Sequence, residues 1–316
     1  MTRTLFLSGA TFYILLELGA LKHIMSLSTF DTYFGTSSGS FLGLAMHLGW
    51  TPDTLFEWMN SVAKQLTSDL SESAFRLFFT GALISRKGQR NFIKRMIKAS
   101  PVYKAHFQGL SVNQVTFQKV AAVTSTNFLC NAVCYDTSKV AIFSVETTPD
   151  LSVHNAVMAS MSMIGLFKPT IIDGMKYIDG GLLSDYAISL FTPDSLLYYK
   201  NTYPDVDFPV DITNAWGCLH MALDIVYGTP AVEKGKWSFS TLLQFLPKIF
   251  DYYQMINIRD GSRDILNNRT WFVNVNGLLL HIPSVPKARS LFTTGYNQAL
   301  HQGNKGLAPI ASSPAT

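Results

Sequence analysis

Charge is scarce in this chain. Asp, Glu, Lys and Arg make up only 15% of its 316 residues, against 47% hydrophobic ones. That balance excludes a disordered or solvating tail as the body of the protein and leaves material for a sizeable core. Cysteine is scarcer still. Three thiols, Cys130, Cys134 and Cys218, are too few for a disulfide framework and point to a reducing compartment. Cys130 and Cys134 have no second pair at metal-ligand spacing, so they read as buried thiols in a hairpin. Also lacking is any uncharged apolar run near the roughly 18 residues of a spanning helix. The apolar N-terminus is broken by Ser8-Gly9 and Glu17, with no small-residue cleavage site after it, so it does not read as a signal peptide. The expected setting is intracellular and cytoplasmic, with any membrane met peripherally. The net charge of +4 suits an anionic lipid surface. No basic run interleaved with aromatics supports nucleic acid as a partner.

What is present is an alternation of short β-prone runs and helical patterns. Positions 4–7 read as a strand, Ser8-Gly9 as a turn, and 14–25 as a helix with apolar residues Ile14, Leu15, Leu18, Leu21 and Met25. Positions 29–34 and 40–48 repeat the plan around a tight turn. Thr51-Pro52-Asp53 is a helix start, and helices are expected over about 52–66, 70–79 and 88–98. Positions 114–123 and 131–147 look strand-rich. A helix ends near Met161, and a hairpin over 170–178 turns at Asp173-Gly174. The stretch 190–240 has no clean period. Further on, 240–256 and 290–302 read as helices and 270–275 as a strand, while the Ala/Ser/Pro-rich tail 303–316 is expected to be disordered. The fold class is therefore α/β, three layers with a central, mostly parallel sheet, in a single domain over 1–302 whose core motifs lie in 4–190.

Two local patterns carry chemistry. Gly35-Thr36-Ser37-Ser38-Gly39 has the Gly-x-Ser-x-Gly form between an expected strand and an expected helix. A sharp turn there lifts the serine oxygen clear of the sheet, and Gly35 and Gly39 remove side chains that would clash. The following helix N-terminus brings free N–H groups and partial positive charge. By chance alone the pattern occurs in roughly one chain in ten of this length, so the strand–turn–helix context carries the weight. Asp179-Gly180-Gly181 follows the hairpin, and alone it is as readily a plain turn.

Together with Gly19-Ala20-Leu21-Lys22 and the segment Ala159-Ser160-Met161-Ser162-Met163-Ile164-Gly165-Leu166-Phe167-Lys168-Pro169, these patterns resemble the patatin-like phospholipase family. Weaker likeness continues through His106-Phe107-Gln108-Gly109-Leu110 and Thr294-Gly295-Tyr296. The resemblance implies a cofactor-independent Ser–Asp dyad, with Ser37 attacking an ester carbonyl of a lipid and Asp179 taking its proton. Gly180 and Gly181 would support the turn. The oxyanion loop would be Gly9, Ala10 and Thr11, where the family is glycine-rich. Here Gly9-Ala10-Thr11-Phe12-Tyr13-Ile14 keeps only the first glycine, and the Asn-x-Pro usual after Asp-Gly-Gly has become Leu182-Leu183-Ser184-Asp185-Tyr186-Ala187.

Two readings follow: a phospholipase A-type serine esterase that cleaves acyl chains from phospholipids or related lipids, or a catalytically impaired patatin fold serving as a lipid-binding or structural module. A Ser–Asp–His triad is a rival, since His220, His281 and His301 follow Asp179, but only one strand–helix unit precedes Ser37. His23 and His154 carry no motif. Arg86, Lys87, Arg90, Lys94, Arg95 and Lys98 share a helix with Phe92, Ile93, Met96 and Ile97, which reads first as a solvated basic face over a core face and second as a lipid-docking helix. The run 75–79 offers a greasy lip or plain core.

Overall fold

A computed structural model describes residues 2–10, 13–69, 86–163, 167–221, 268–274 and 285–307. Its centre is a mixed eight-stranded sheet. The strands are β1 (Thr4–Leu7), β2 (Thr32–Thr36), β3 (Asn127–Cys134), β4 (Lys139–Phe143), β5 (Thr170–Ile172), β6 (Met175–Asp179), β7 (Ala215–Met221) and β8 (Thr270–Asn274). Every residue of β1 and β2 is buried, as a central strand covered on both faces requires. The order is β5-β6-β3-β2-β1-β7-β8, with β4 on the remaining edge of β3. β3, β2, β1, β7 and β8 run parallel, while β4 and β6 are antiparallel to β3, and β5 to β6.

Alternation along β1 divides the core. Leu5 and Leu7 face one side with Tyr33 and Phe128, and Phe6 faces the other with Phe34 and Leu129. The first side is closed by α1 (Ile14–Leu27), α2 (Ser38–His47), α3 (Pro52–Asp69), α4 (Arg86–Ala99) and α6 (Val153–Ser160), each placing buried residues there. The second is closed by the 3-10 turn Ala187–Phe191 and by Phe208. A short α5 (Phe117–Ala121) precedes β3, and α7 (Gly181–Ser184) follows β6. The last helix, α8 (Val285–His301), crosses α1 in backbone contact. A Cβ on Gly19 would stand 1.9 Å from Phe292 O, and one on Gly295 1.9 Å from Leu16 O. The two glycine motifs at 19 and 295 are thus two halves of one helix crossing.

Most expected elements appear, with two corrections. Positions 114–123 are not strand: Val112–Gln114 is a 3-10 turn and Phe117–Ala121 a helix, started by Thr116, whose side chain accepts from Lys119 N. That local cap outweighs the β-prone Val and Phe residues. The tail is ordered at its start. Leu307 is buried, Lys305 O accepts from Trp216 Nε1 at 3.0 Å, and Gly303 O accepts from Trp271 Nε1 at 3.1 Å. The hairpin turns where expected, with Asp173 and Gly174 at φ 49° and 80°, both in the left-handed region a two-residue turn demands. The expected helices at 70–79 and 240–256, the run 75–79 and tail positions 308–316 lie outside the described residues.

The basic helix α4 buries Ile93, Met96 and Ile97, stacks Phe92 on Phe41, and leaves Arg90, Arg95 and Lys98 exposed, as an amphipathic helix lying on a core does. All three cysteines are free and buried, with Cys130 and Cys134 on β3 of the β3–β4 hairpin.

Candidate active site

β3 borrows one edge for two neighbours in turn. β2 pairs with it through Thr36↔Asn131, and β6 takes over at Ala132↔Asp179. β4 already occupies the other edge over Cys130 to Cys134, so β2 and β6 meet end to end. Ser37 is the residue just past the end of β2, and Asp179 is the last residue of β6. The result is a hydrogen bond from Ser37 Oγ to Asp179 Oδ2 at 2.7 Å, between residues 142 apart in sequence.

Ser37 holds a strained backbone, φ 52° and ψ −124°, a region that non-glycine residues enter at a cost. Its surroundings fix it there. Ser37 N donates to Ser160 Oγ at 2.9 Å, and Ser40 Oγ and N donate to Ser37 O at 2.6 and 2.9 Å. The flanking glycines are needed for space: a Cβ on Gly35 would stand 2.3 Å from Gly39 O, and one on Gly39 2.4 Å from Leu7 O. α2 begins at Ser38, so its N-terminal dipole lies beside the nucleophilic oxygen.

Asp179 is held from both sides. Its N donates to Ser162 O at 3.0 Å, and its Oδ1 accepts from Gly181 N at 2.8 Å. Burial raises its pKa from an ordinary 3.8 to about 7, against the lowering effect of the bonds from Ser37 and Gly181. A carboxylate so placed is a base matched to neutral pH. Among the described residues no histidine hydrogen-bonds Ser37 or Asp179. His220 lies on β7, two strands from β2, and His301 is exposed at the end of α8. His281 lies outside the described residues.

Of the expected oxyanion loop, Gly9 and Ala10 flank the dyad, and Thr11 lies outside the described residues. Both described amides already have acceptors. Gly9 N donates to Asp185 Oδ1 at 2.9 Å, and Ala10 N donates to Ser38 Oγ at 2.6 Å. Gly180 and Gly181 lead from β6 into α7, and a Cβ on Gly180 would stand 2.5 Å from Asn131 O.

Several residues of the site have contacts that motif reading did not assign. Asn131 ties three segments together: its Oδ1 accepts from Thr36 Oγ1 at 2.7 Å, and its Nδ2 donates to Ser184 O at 2.9 Å. Ser160 and Ser38 brace the nucleophile and the loop. Glu17 is wholly buried on α1, close to the Ser8 backbone. Burial first, and the nearby Asp185 second, push its pKa well above the ordinary carboxylate value. A sequence signal did exist for Glu17, an acid set among Ile14, Leu15, Leu16 and Leu18. None existed for Asn131.

A family model described as patatin-like phospholipase matches residues 5–192. This chain belongs to the patatin-like phospholipase family. The matched part holds β1 to β6 and all of the residues just described; β7, β8 and α8 lie beyond it. Two viral proteins are similar. The "Uncharacterized protein R571" of Acanthamoeba polyphaga mimivirus is 26% identical over 197 residues, which cover 61% of this chain and 62% of that one. The "Probable lipid hydrolase 463L" of Invertebrate iridescent virus 6 is 26% identical over 200 residues, covering 60% and 62%. The chain therefore spans about three-fifths of the length of each of these relatives. Among solved structures, VipD from Legionella pneumophila superposes with a TM-score of 0.53 at 12% identity, over 95% of this chain and 66% of that one. At that identity the likeness is one of fold.

Proposed function

We propose that this patatin-like protein is a lipid acyl hydrolase of the phospholipase A type, working through Ser37 and Asp179. The observation that carries the reading is the 2.7 Å hydrogen bond from the Ser37 hydroxyl to a buried carboxylate whose pKa is pushed up to about 7. Family membership, and similarity to a viral protein named as a probable lipid hydrolase, support lipid as the substrate.

In the first half-reaction Ser37 Oγ attacks the ester carbonyl carbon and Asp179 takes the hydroxyl proton. The tetrahedral intermediate then collapses, and Asp179 returns that proton to the departing alcohol, leaving an acyl-serine. In the second, Asp179 takes a proton from water as the water attacks the acyl carbon, and Ser37 recovers its proton as the fatty acid leaves. The α2 N-terminus favours the negative charge that develops beside it. Among the described residues no helix is long and apolar enough to cross a membrane; on this reading the lipid is met at a membrane surface from the cytoplasmic side.

The second reading, a fold that holds lipid without turning it over, draws on one observation: the Gly9 and Ala10 amides are both taken by acceptors of the chain itself. Reaction with a fluorophosphonate separates the two. Labelling of the wild type that is lost in Ser37→Ala, with matching hydrolysis of fluorescent phospholipids, supports the enzyme. A folded wild type that neither labels nor hydrolyses any ester overturns it.

A further inference from the structure

Two aspartates stand beside Ser37, and the dyad uses one of them. Asp185 Oδ1 accepts the Gly9 amide proton at 2.9 Å. The same oxygen stands 2.1 Å from the point a Gly9 Cβ would occupy, and Ser37 Cβ stands 3.1 Å from that point on another side. Around Gly181 the arrangement recurs: a Cβ there would lie 2.9 Å from Asp185 Oδ1 and 3.1 Å from Asp179 Oδ1. The Asp185 oxygen thus packs against Gly9 and Gly181, the two glycines that also border Ser37 and Asp179. The buried Glu17 senses the same charge: burial first and Asp185 second raise its pKa.

An ester ground state is neutral, whereas the tetrahedral intermediate at Ser37 carries a full negative charge on oxygen. Donors are useful there only if they turn to that oxygen. The Gly9 amide beside Ser37 is already satisfied by a carboxylate, and two anions cannot share one N–H donor at low cost in a partly buried site. We propose that Asp185 is a positioning residue that sets the rate of the Ser37 reaction: its carboxylate is a resident anion on the Gly9 amide, in competition with the anion formed during acyl transfer. The chain would then hold its acyl-transfer site in a slow resting state by its own side chain. The inference rests on the Ser37–Asp179 reading and assigns a further residue to that site.

Asp185→Asn keeps an oxygen acceptor of the same shape and removes the charge, while Asp185→Ala removes both. Either change is expected to speed fluorophosphonate labelling of Ser37 tenfold or more. For a short soluble ester it should raise kcat by a similar factor with KM within twofold, because only the charged intermediate senses Asp185. A merely structural clamp would show the opposite, a loss in both variants. Thermal melts establish which variant is folded, and Asp185→Ala serves if Asp185→Asn is not. A folded variant that labels at the wild-type rate or more slowly overturns the inference while leaving the dyad standing. If neither wild type nor a folded variant labels, the dyad reading falls and this one with it.

Discussion

Replacing Asp179 by asparagine should kill the enzyme and make it more stable, and the gain should depend on pH. In the folded chain burial raises the Asp179 pKa from 3.8 to about 7. The unfolded chain releases that proton near the ordinary value. Between about pH 4 and pH 7 the folded state therefore binds more protons than the unfolded one, so stability falls as pH rises through this window and the loss is complete above pH 7. At about 1.4 kcal/mol for each tenfold change in proton affinity, the full loss has a ceiling of about 4 kcal/mol. Asparagine never ionises. Its Oδ1 can still accept from Gly181 N, and its Nδ2 can donate to Ser37 Oγ, so the two contacts of the carboxylate keep partners. Asp179→Asn should therefore match the wild type near pH 4 and exceed it by a few kcal/mol at pH 8, while ester hydrolysis disappears. Urea or guanidinium midpoints at both pH values, set beside turnover of a soluble ester, measure this. A variant no more stable than wild type at pH 8, or a stability difference independent of pH, would refute the claim that ionised Asp179 is held at a cost to the fold.

The same carboxylate must be ionised to accept the Ser37 proton, so kcat/KM should climb with pH through about 7 and then level; a flat profile from pH 5 to 9 excludes Asp179 as the base. Because Ser37 sits at φ 52°, Ser37→Gly should melt higher than Ser37→Ala, by about 1 kcal/mol in chemical denaturation. Equal stabilities would show that the elbow stores no backbone strain. Ser160→Ala leaves the buried Ser37 N–H without its acceptor. It should cost about 1–3 kcal/mol of stability and lower kcat, and a variant with wild-type melting and turnover would remove Ser160 from the support of the nucleophile.

Sequence and structure agree where the signal is local. The strand–turn–helix at Ser37 and the Asp173-Gly174 turn each announce themselves within five or six residues, because turn chemistry is set by neighbours, whereas Asp179 gained its reading only from the family resemblance. Phe117–Ala121 defeated the period count because five residues carry no period, and its helix is started by a cap at Thr116. β7 went unread for a related reason: Ala-Trp-Gly-Cys-Leu-His-Met lacks alternation, as a parallel strand covered on both faces does. Within the site the roles left unread are those of residues acting over distance, even where the residue sat in a quoted segment. Asn131 joins β2 to α7, Ser160 reaches across 123 positions to Ser37, and Asp185 across 176 to Gly9. Their meaning is created by the tertiary fold, and a single sequence gives a polar residue no mark that says which distant backbone it will meet.

The end-to-end meeting of β2 and β6 along β3 makes that strand a ruler for the chemistry. Slipping β6 by one residue would carry Asp179 about 3.3 Å along β3 and turn its side chain to the opposite face of the sheet. The Ser37–Asp179 hydrogen bond is thus keyed to backbone pairing at two adjacent positions, Asn131 and Ala132. Parts of the joining segments that do not touch the elbow, as Ser38, Gly39 and Ser160 do, can lengthen, shorten or change sequence so long as the count along β3 is kept. Divergence should concentrate in the connections, while a one-residue insertion in β3 between these positions would separate acid from alcohol as surely as deleting either.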